Sequence, residues 1–178
     1  MKAFSNLLSD LILTSSRNRK LSLLEQYFSS TPDPDRGYAL AALTGSLNFK
    51  NIKASFFKDL IKEKQDEHLF DLSYDYVGDL AETISLLWDQ EKSGNMPRLS
   101  SLFENLKKAK NDELKNHIIN ILNISTADQR WAFIKLFTGG LRIGVSSRLV
   151  KQGLANYGNV DLEEIEKIWH GLHFPYIN

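Results

Sequence analysis

The sequence predicts an all-α fold, and three observations lead to this prediction. Apolar residues recur every three or four positions along nearly the whole chain of 178 residues, the spacing that places them on one face of a helix. No segment alternates β-branched and polar residues over the length of a strand. No repeat of fixed period runs along the chain, which argues against a solenoid. We therefore expect about ten short helices of roughly three turns each, packed as two half-bundles.

Capping and turn residues divide the first half of the chain. Thr14, Ser15 and Ser16 follow the first apolar-periodic segment and supply the hydroxyls that cap a second helix. The Pro-Asp-Pro-Asp turn after Thr31 keeps the preceding residues out of the helical region, and Gly45 ends a short alanine-rich segment. The helices predicted here are 2–13, 17–28, 36–43, 52–64 and 74–90.

The second half begins after the clearest linker in the chain, 92–97, which contains serine, glycine, asparagine and proline. The predicted helices that follow are 99–108, 113–122, 128–137, 147–157 and 162–169. We interpret 1–178 as one domain, within which this linker separates sub-halves 1–91 and 98–178.

Composition excludes several classes of protein. The chain has no cysteine, which rules out disulfides and thiolate metal sites. With 42% hydrophobic and 25% charged residues it can build a core, so it is not a disordered tail. The N-terminal segment has a helical period rather than a signal-peptide core, and no apolar run approaches the ~20 residues of a membrane span. We expect a cytoplasmic protein without a membrane partner.

The net charge is zero, but the charge is segregated along the sequence. Eight acids and no Lys or Arg lie within 65–91, whereas three bases and no acid lie between Asp10 and Glu25. Five more bases and no acid lie between Asp128 and Asp161. Local fields steer a polyanion more than net charge does. Attraction between acidic and basic helices within the fold is the alternative interpretation.

The segment 138–147 is the strongest candidate for an anion site. It carries three glycines, Arg142 and two serines between two predicted helices. Glycine lets a backbone approach a ligand closely, and a serine-capped helix start offers free N–H groups to a phosphate. A left-handed helix cap explains one of these glycines but does not explain Gly144. The segment 14–20 has a similar composition, although alone it is typical of an ordinary capped helix.

No catalytic or metal site is visible. His170 and His173 have the spacing of a metal pair but lack a second pair nearby, so we interpret them as exposed polar residues. Four acids fall three or four residues apart and would share one face of a helix, namely Asp71, Asp75, Asp79 and Glu82. Such a run could bind a divalent cation weakly, but it is more often solvated or paired with a basic helix. Neither glycine-rich nucleotide loop occurs.

Three strings of the sequence resemble the N-terminal DNA-binding domain of bacterial ATP-dependent DNA ligases. They are Thr31–Gly45 (TPDPDRGYALAALTG), Leu72–Thr83 (LSYDYVGDLAET) and Lys135–Gly144 (KLFTGGLRIG). The resemblance runs from the first helix to the last. It implies an all-helical domain that grips duplex DNA on both sides of a nick, mainly across the minor groove, through sugar and phosphate rather than through bases.

The resemblance also implies which residues contact DNA. They lie in the two basic segments described above, and Leu72–Thr83 is interpreted as mainly structural. The implied contact residues are Arg17, Asn18, Lys20, Thr138, Gly139, Gly140, Arg142, Gly144, Ser146 and Ser147.

The ligase reaction starts on a lysine in a Lys-x-Asp-Gly motif, but this sequence contains no Asp-Gly dipeptide. We therefore expect no catalytic residue and no cofactor in this chain, and interpret it as a fragment rather than a stand-alone domain. The parent enzyme would use ATP and Mg²⁺ and carry downstream nucleotidyltransferase and OB-fold domains. The resemblance further implies a monomer that serves replication, repair or recombination. The alternative is a helical protein–protein interaction module.

Overall fold

The computed structural model describes residues 1–47, 49, 52–89, 92, 94–138, 141–174 and 176. Within these residues there are eleven α-helices, a 3-10 turn at Trp169–Gly171 and no strand, which confirms the all-α prediction. No helix in this part of the chain has the length and apolarity needed to cross a membrane. The helices are α1 (Lys2–Ile12), α2 (Arg17–Ser30), α3 (Asp35–Leu43), α4 (Ala54–Lys62), α5 (Glu67–Val77), α6 (Leu80–Leu87), α7 (Leu99–Lys108), α8 (Asn111–Ile124), α9 (Ala127–Lys135), α10 (Ser147–Gly158) and α11 (Leu162–Ile168).

The helix predicted over 74–90 is wrong, because the chain breaks at Gly78. This glycine has a φ of 74°, in the left-handed region, and its N–H bonds the carbonyl of Tyr74, so it ends α5. Asp79 then caps α6 by accepting a hydrogen bond from the N–H of Glu82 at 2.9 Å. Apolar periodicity continues across the break, which is why the pattern alone merged the two helices.

The chain forms two compact units, each of which is discontinuous in sequence. The first unit comprises Met1–Lys2, Phe49–Pro97 and Ser101–Gly140. The second comprises Ala3–Asn48, Arg98–Ser100 and Leu141–Asn178. These units are not the contiguous sub-halves 1–91 and 98–178, because α2 packs against α10, which is far away in sequence.

The first unit is built around a cluster of phenylalanine rings. Phe133 and Phe137 have ring centroids 5.1 Å apart, and Phe57 packs edge-on against Phe133 at 6.2 Å. Nearby, Lys135 forms an ion pair with Asp79. Burial acts to raise the pKa of Asp79, but hydrogen bonds from Lys135 and the capped backbone outweigh it and lower the pKa.

The core of the second unit contains the pair α2 and α10. Leu24 and Phe28 of α2 are fully buried, as is Val150 of α10. A Cβ on Gly153 of α10 would lie 2.9 Å from the Cβ of Leu24, so this glycine allows the two helices their close approach. The alignment of Gly153 with Leu24 fixes the position of α10 along α2, and therefore the relative positions of the helix ends.

Asp35 joins the start of α3 to the start of α7 within the second unit. Its carboxylate accepts hydrogen bonds from the N–H groups of Leu99 at 3.3 Å and Ser100 at 3.1 Å, and from the Ser100 hydroxyl. These N–H groups belong to the first turn of α7 and have no partner inside the helix. Burial acts to raise the pKa of Asp35, but these hydrogen bonds and Arg98 outweigh it and lower the pKa.

The variant Asp35→Asn should lower the free energy of unfolding at pH 7 by about 2 kcal/mol, since an amide cannot satisfy all of these donors. The pKa of Asp35 is lower in the folded chain than its ordinary 3.8, so ionised Asp35 stabilises the fold above about pH 4. That contribution is lost as the pH falls through the folded pKa. Urea unfolding between pH 7 and pH 3 should therefore show a weaker acid dependence in the variant.

Asp10→Asn is the matched control, because Asp10 is an exposed carboxylate of the same unit. Equal unfolding free energies for Asp35→Asn and Asp10→Asn at pH 7 would show that Asp35 does not hold the two helix starts together.

Candidate functional site

Helices α2 and α10 run parallel, so their N-termini lie at the same end of the second unit. Contacts follow the same order along both helices. Arg17 and Ser146 line one cleft at the N-terminal end, and Glu25 accepts a hydrogen bond from Asn156 at 2.6 Å nearer the C-terminal end. Gly153 touches Leu24 between these points. Two positive helix-dipole ends are thereby placed side by side.

Each of these helix starts is capped by a serine. Ser16 accepts a hydrogen bond from the N–H of Arg19 at 3.3 Å, and Ser146 accepts one from the N–H of Leu149 at 3.2 Å. The cap satisfies one of the free N–H groups of a first turn and leaves others available to a ligand. Neither α2 nor α10 has an acidic residue in its first turn. The positive ends are therefore not neutralised by their own helices.

An open cleft of about 100 Å³ lies between the two helix starts. That volume holds a few water molecules at roughly 30 Å³ each, or a group of similar size such as a phosphate. Two guanidinium groups, one hydroxyl and one amide border the cleft. Its lining residues are Arg17, Ser146, Arg148, Leu149 and Gln152.

Lys20 fixes the loop that leads into α10. Its side chain is only 8% exposed, and its Nζ donates a hydrogen bond to the carbonyl of Gly144 at 2.7 Å. The two residues are 124 positions apart in sequence. The sequence predicted Lys20 as a DNA contact, but the structure buries it and engages its ammonium with the loop. Its role in this geometry is to position the loop.

The backbone of Gly144 adopts a conformation that favours glycine. Its φ is +68°, in the left-handed region, and a Cβ on it would lie 2.6 Å from the Nζ of Lys20. Arg142, two residues earlier, also adopts a positive φ of 45° and is exposed to solvent. The loop is thus turned tightly, with the Arg142 side chain left on the surface.

The structure brings together most of the predicted site residues in the second unit. Arg17 and Asn18 are exposed in the first turn of α2, and Ser146 and Ser147 are exposed at the start of α10. Thr138 belongs to the first unit, where its N–H bonds the carbonyl of Ile134 at the end of α9. The predicted contacts Gly139 and Gly140 lie outside the described residues.

The acid-free segment between Asp128 and Asp161 exposes fewer unpaired positive charges than its sequence indicates. Arg130 is buried, and burial lowers its pKa despite the nearby Asp89. Lys135 is paired with Asp79. Arg130 and Lys135 are therefore less accessible to a polyanion than the exposed bases of the segment.

Three residues of the cleft were not predicted as site residues: Leu149 and the polar Arg148 and Gln152. Arg148 follows the predicted cap Ser146 by two positions, and Gln152 lies one helical turn further on the same face. That spacing is visible in the sequence, but the position of Arg17 beside the same cleft is not. In the described part of the chain, no three His, Asp or Glu side chains cluster as ligands for a metal ion.

Comparison with known proteins gives one family. Residues 1–155 match the family model described as DNA ligase N terminus. The matched range contains all the residues that line the cleft. No curated protein matches the chain.

The variant Gly144→Ala should lower the free energy of unfolding by about 1–3 kcal/mol, since it combines a strained positive φ with displacement of the Lys20 ammonium. Gly45→Ala is the matched control, because Gly45 has a φ of +74° but nothing within 4 Å of its added Cβ. Urea unfolding measures both. If both variants lost the same stability, the contact between Lys20 and the loop would contribute nothing.

Proposed function

Because this chain belongs to the family of N-terminal domains of ATP-dependent DNA ligases, we propose that it binds duplex DNA independently of sequence. The surface that binds is the end of the second unit where α2 and α10 begin. The ligand there is the sugar–phosphate backbone beside a nick, approached mainly from the minor groove. Catalysis belongs to other domains of the parent enzyme.

The observation that carries this proposal is the pair of parallel helix starts without a compensating acid. Each helix N-terminus is equivalent to roughly half a positive charge. Arg17 and Arg148 add two full charges at the rim of the same cleft. Like charges held together in this way lower the stability of the free protein and favour an anion as ligand.

The chemistry of the cleft suits backbone contacts rather than base recognition. Hydroxyl, guanidinium and backbone N–H donors all match phosphate oxygens, and such contacts carry no sequence information. Among the described residues that line the cleft there is no carboxylate, and its two charged groups are both guanidinium donors, which suit phosphate oxygens. A ligase has to seal nicks in any sequence, and this set of donors is consistent with that task.

Positioning is the contribution that such a domain makes to strand joining. In the parent enzyme a lysine takes AMP from ATP with Mg²⁺, AMP passes to the 5′-phosphate, and the 3′-hydroxyl attacks. Holding both strand ends in line removes much of the entropic cost of the last step. This chain would act as a monomer beside the nucleotidyltransferase and OB-fold domains, and the joining would serve DNA replication, repair or recombination.

Affinity for a nicked duplex should fall steeply with salt. If about 4–6 phosphates are neutralised, log K falls against log salt with a slope of about −4 to −5. Fluorescence anisotropy of a labelled nicked duplex between 50 and 200 mM salt measures the slope. An affinity that did not change with salt, or the absence of binding at low salt, would contradict the proposal.

Single substitutions of Arg17→Ala, Arg142→Ala or Arg148→Ala should each weaken binding by about tenfold at low salt, by similar factors on unrelated sequences. Each should also make the salt slope shallower by about one. Lys108→Ala is the control, because it removes an exposed cation of the first unit. A loss confined to particular sequences would indicate base recognition instead.

A further inference from the structure

Helix α5 of the first unit carries an apolar stripe on its outer face. Leu69, Leu72 and Tyr76 are 48%, 56% and 93% exposed. Their spacing of three and four residues places them in one row along the helix. Phe70 is the residue of α5 that is buried. The string Leu72–Thr83 was interpreted as structural from the sequence, yet the structure leaves two of its large apolar side chains in solvent.

The stripe belongs to a well-formed helix rather than to a frayed segment. Asp66 caps α5 by accepting a hydrogen bond from the N–H of Leu69 at 2.9 Å, and Gly78 ends it. On the inner side, the ring of Phe70 stacks on that of Tyr74 at 5.9 Å, and the ammonium of Lys58 lies 4.6 Å from the Tyr74 ring. The outward direction of the stripe is therefore fixed by packing on the opposite face.

One acidic side chain of the helix borders the stripe. In α5 this is Asp75, whereas Glu67 and Asp71 lie on the side of the helix that faces α4. No Lys or Arg occurs between residues 65 and 91. Lys62 of α4 pairs with Glu67 at 2.7 Å and with Asp71 at 3.2 Å, so it neutralises part of this charge. Asp75 is exposed, adjoins Leu72 one turn away, and forms no ion pair with the residues that the structure describes.

This combination selects one kind of occupant. Nucleic acid and anionic membrane surfaces are both negative and would be repelled by Asp75 and by the acid-rich segment 65–91, which has no Lys or Arg. A basic protein segment would meet a complementary charge, and apolar side chains on it would cover Leu72 and Tyr76. Tyrosine is enriched at the centres of protein interfaces, where its ring buries a large area at low entropic cost.

We propose that the outer face of α5 binds a basic amphipathic helix of a partner protein, with Leu69, Leu72 and Tyr76 as its apolar anchors and Asp75 as its charge contact. Two helices would pack against each other, and the anchors on α5 are spaced three and four residues apart. It lies on a helix of the first unit and takes no part in the DNA contacts proposed for the second unit.

A designed peptide tests this surface without knowledge of the natural partner. The probe is a fluorescein-labelled amphipathic peptide of about 14 residues with leucine on one face and lysine on the other. Its matched control replaces every lysine by glutamate. Anisotropy titration of the full 178-residue chain should show at least tenfold tighter binding of the lysine peptide.

Variants of the chain assign that binding to α5. Leu72→Ser with Tyr76→Ser should weaken the lysine peptide at least tenfold, and Asp75→Asn should weaken it several-fold and reduce its salt dependence. Leu86→Ser is the control, because Leu86 is an equally exposed leucine on α6 and should leave binding unchanged. The double variant should keep its affinity for nicked duplex, which separates this proposal from the proposed DNA binding.

Two results would overturn the proposal. Equal binding of the lysine peptide to the wild type and to the double variant would show attraction to acidic charge alone. Self-association of the wild type in sedimentation velocity that the double variant abolishes would assign the stripe to a second copy of this chain.

Discussion

The candidate site depends on one hydrogen bond, from the Nζ of Lys20 to the carbonyl of Gly144. It joins α2 to the loop before α10 across 124 residues of sequence. The ammonium needs a carbonyl partner because it is buried, and the loop favours glycine because its φ is positive and because a Cβ there would displace the ammonium. These two requirements together determine where Arg142 and the Ser146 cap lie.

The parallel packing of α2 and α10 places the starts of both helices on the same surface. Leu24 against Gly153 allows the helices to approach closely, and the hydrogen bond from Asn156 to Glu25 lies further along both helices, in the order of a parallel pair. An antiparallel pair would place opposite dipole ends together and cancel them. Here both positive ends lie beside one cleft with two arginines. The packing of α2 on α10 in the core therefore also produces the positive potential at the surface.

Much of the fold follows from local sequence, whereas the site follows from contacts that the sequence does not show. Apolar spacing and capping residues predicted the all-α class and a helix of the bounds 99–108, because both act within a few residues. The same spacing continued past Gly78 and hid a helix end that a single left-handed residue produces. Charge counting could not distinguish buried Arg130 from exposed Arg148, since burial depends on packing between distant helices.

We propose that a DNA backbone lies across the starts of α2 and α10. Titration of the isotopically labelled chain with a nicked duplex, followed through its backbone amide NMR signals, tests this claim most directly. DNA bound there should produce the largest shifts at the amides of 16–19 and 144–149. Large shifts elsewhere in the chain, with these amides unchanged, would contradict it.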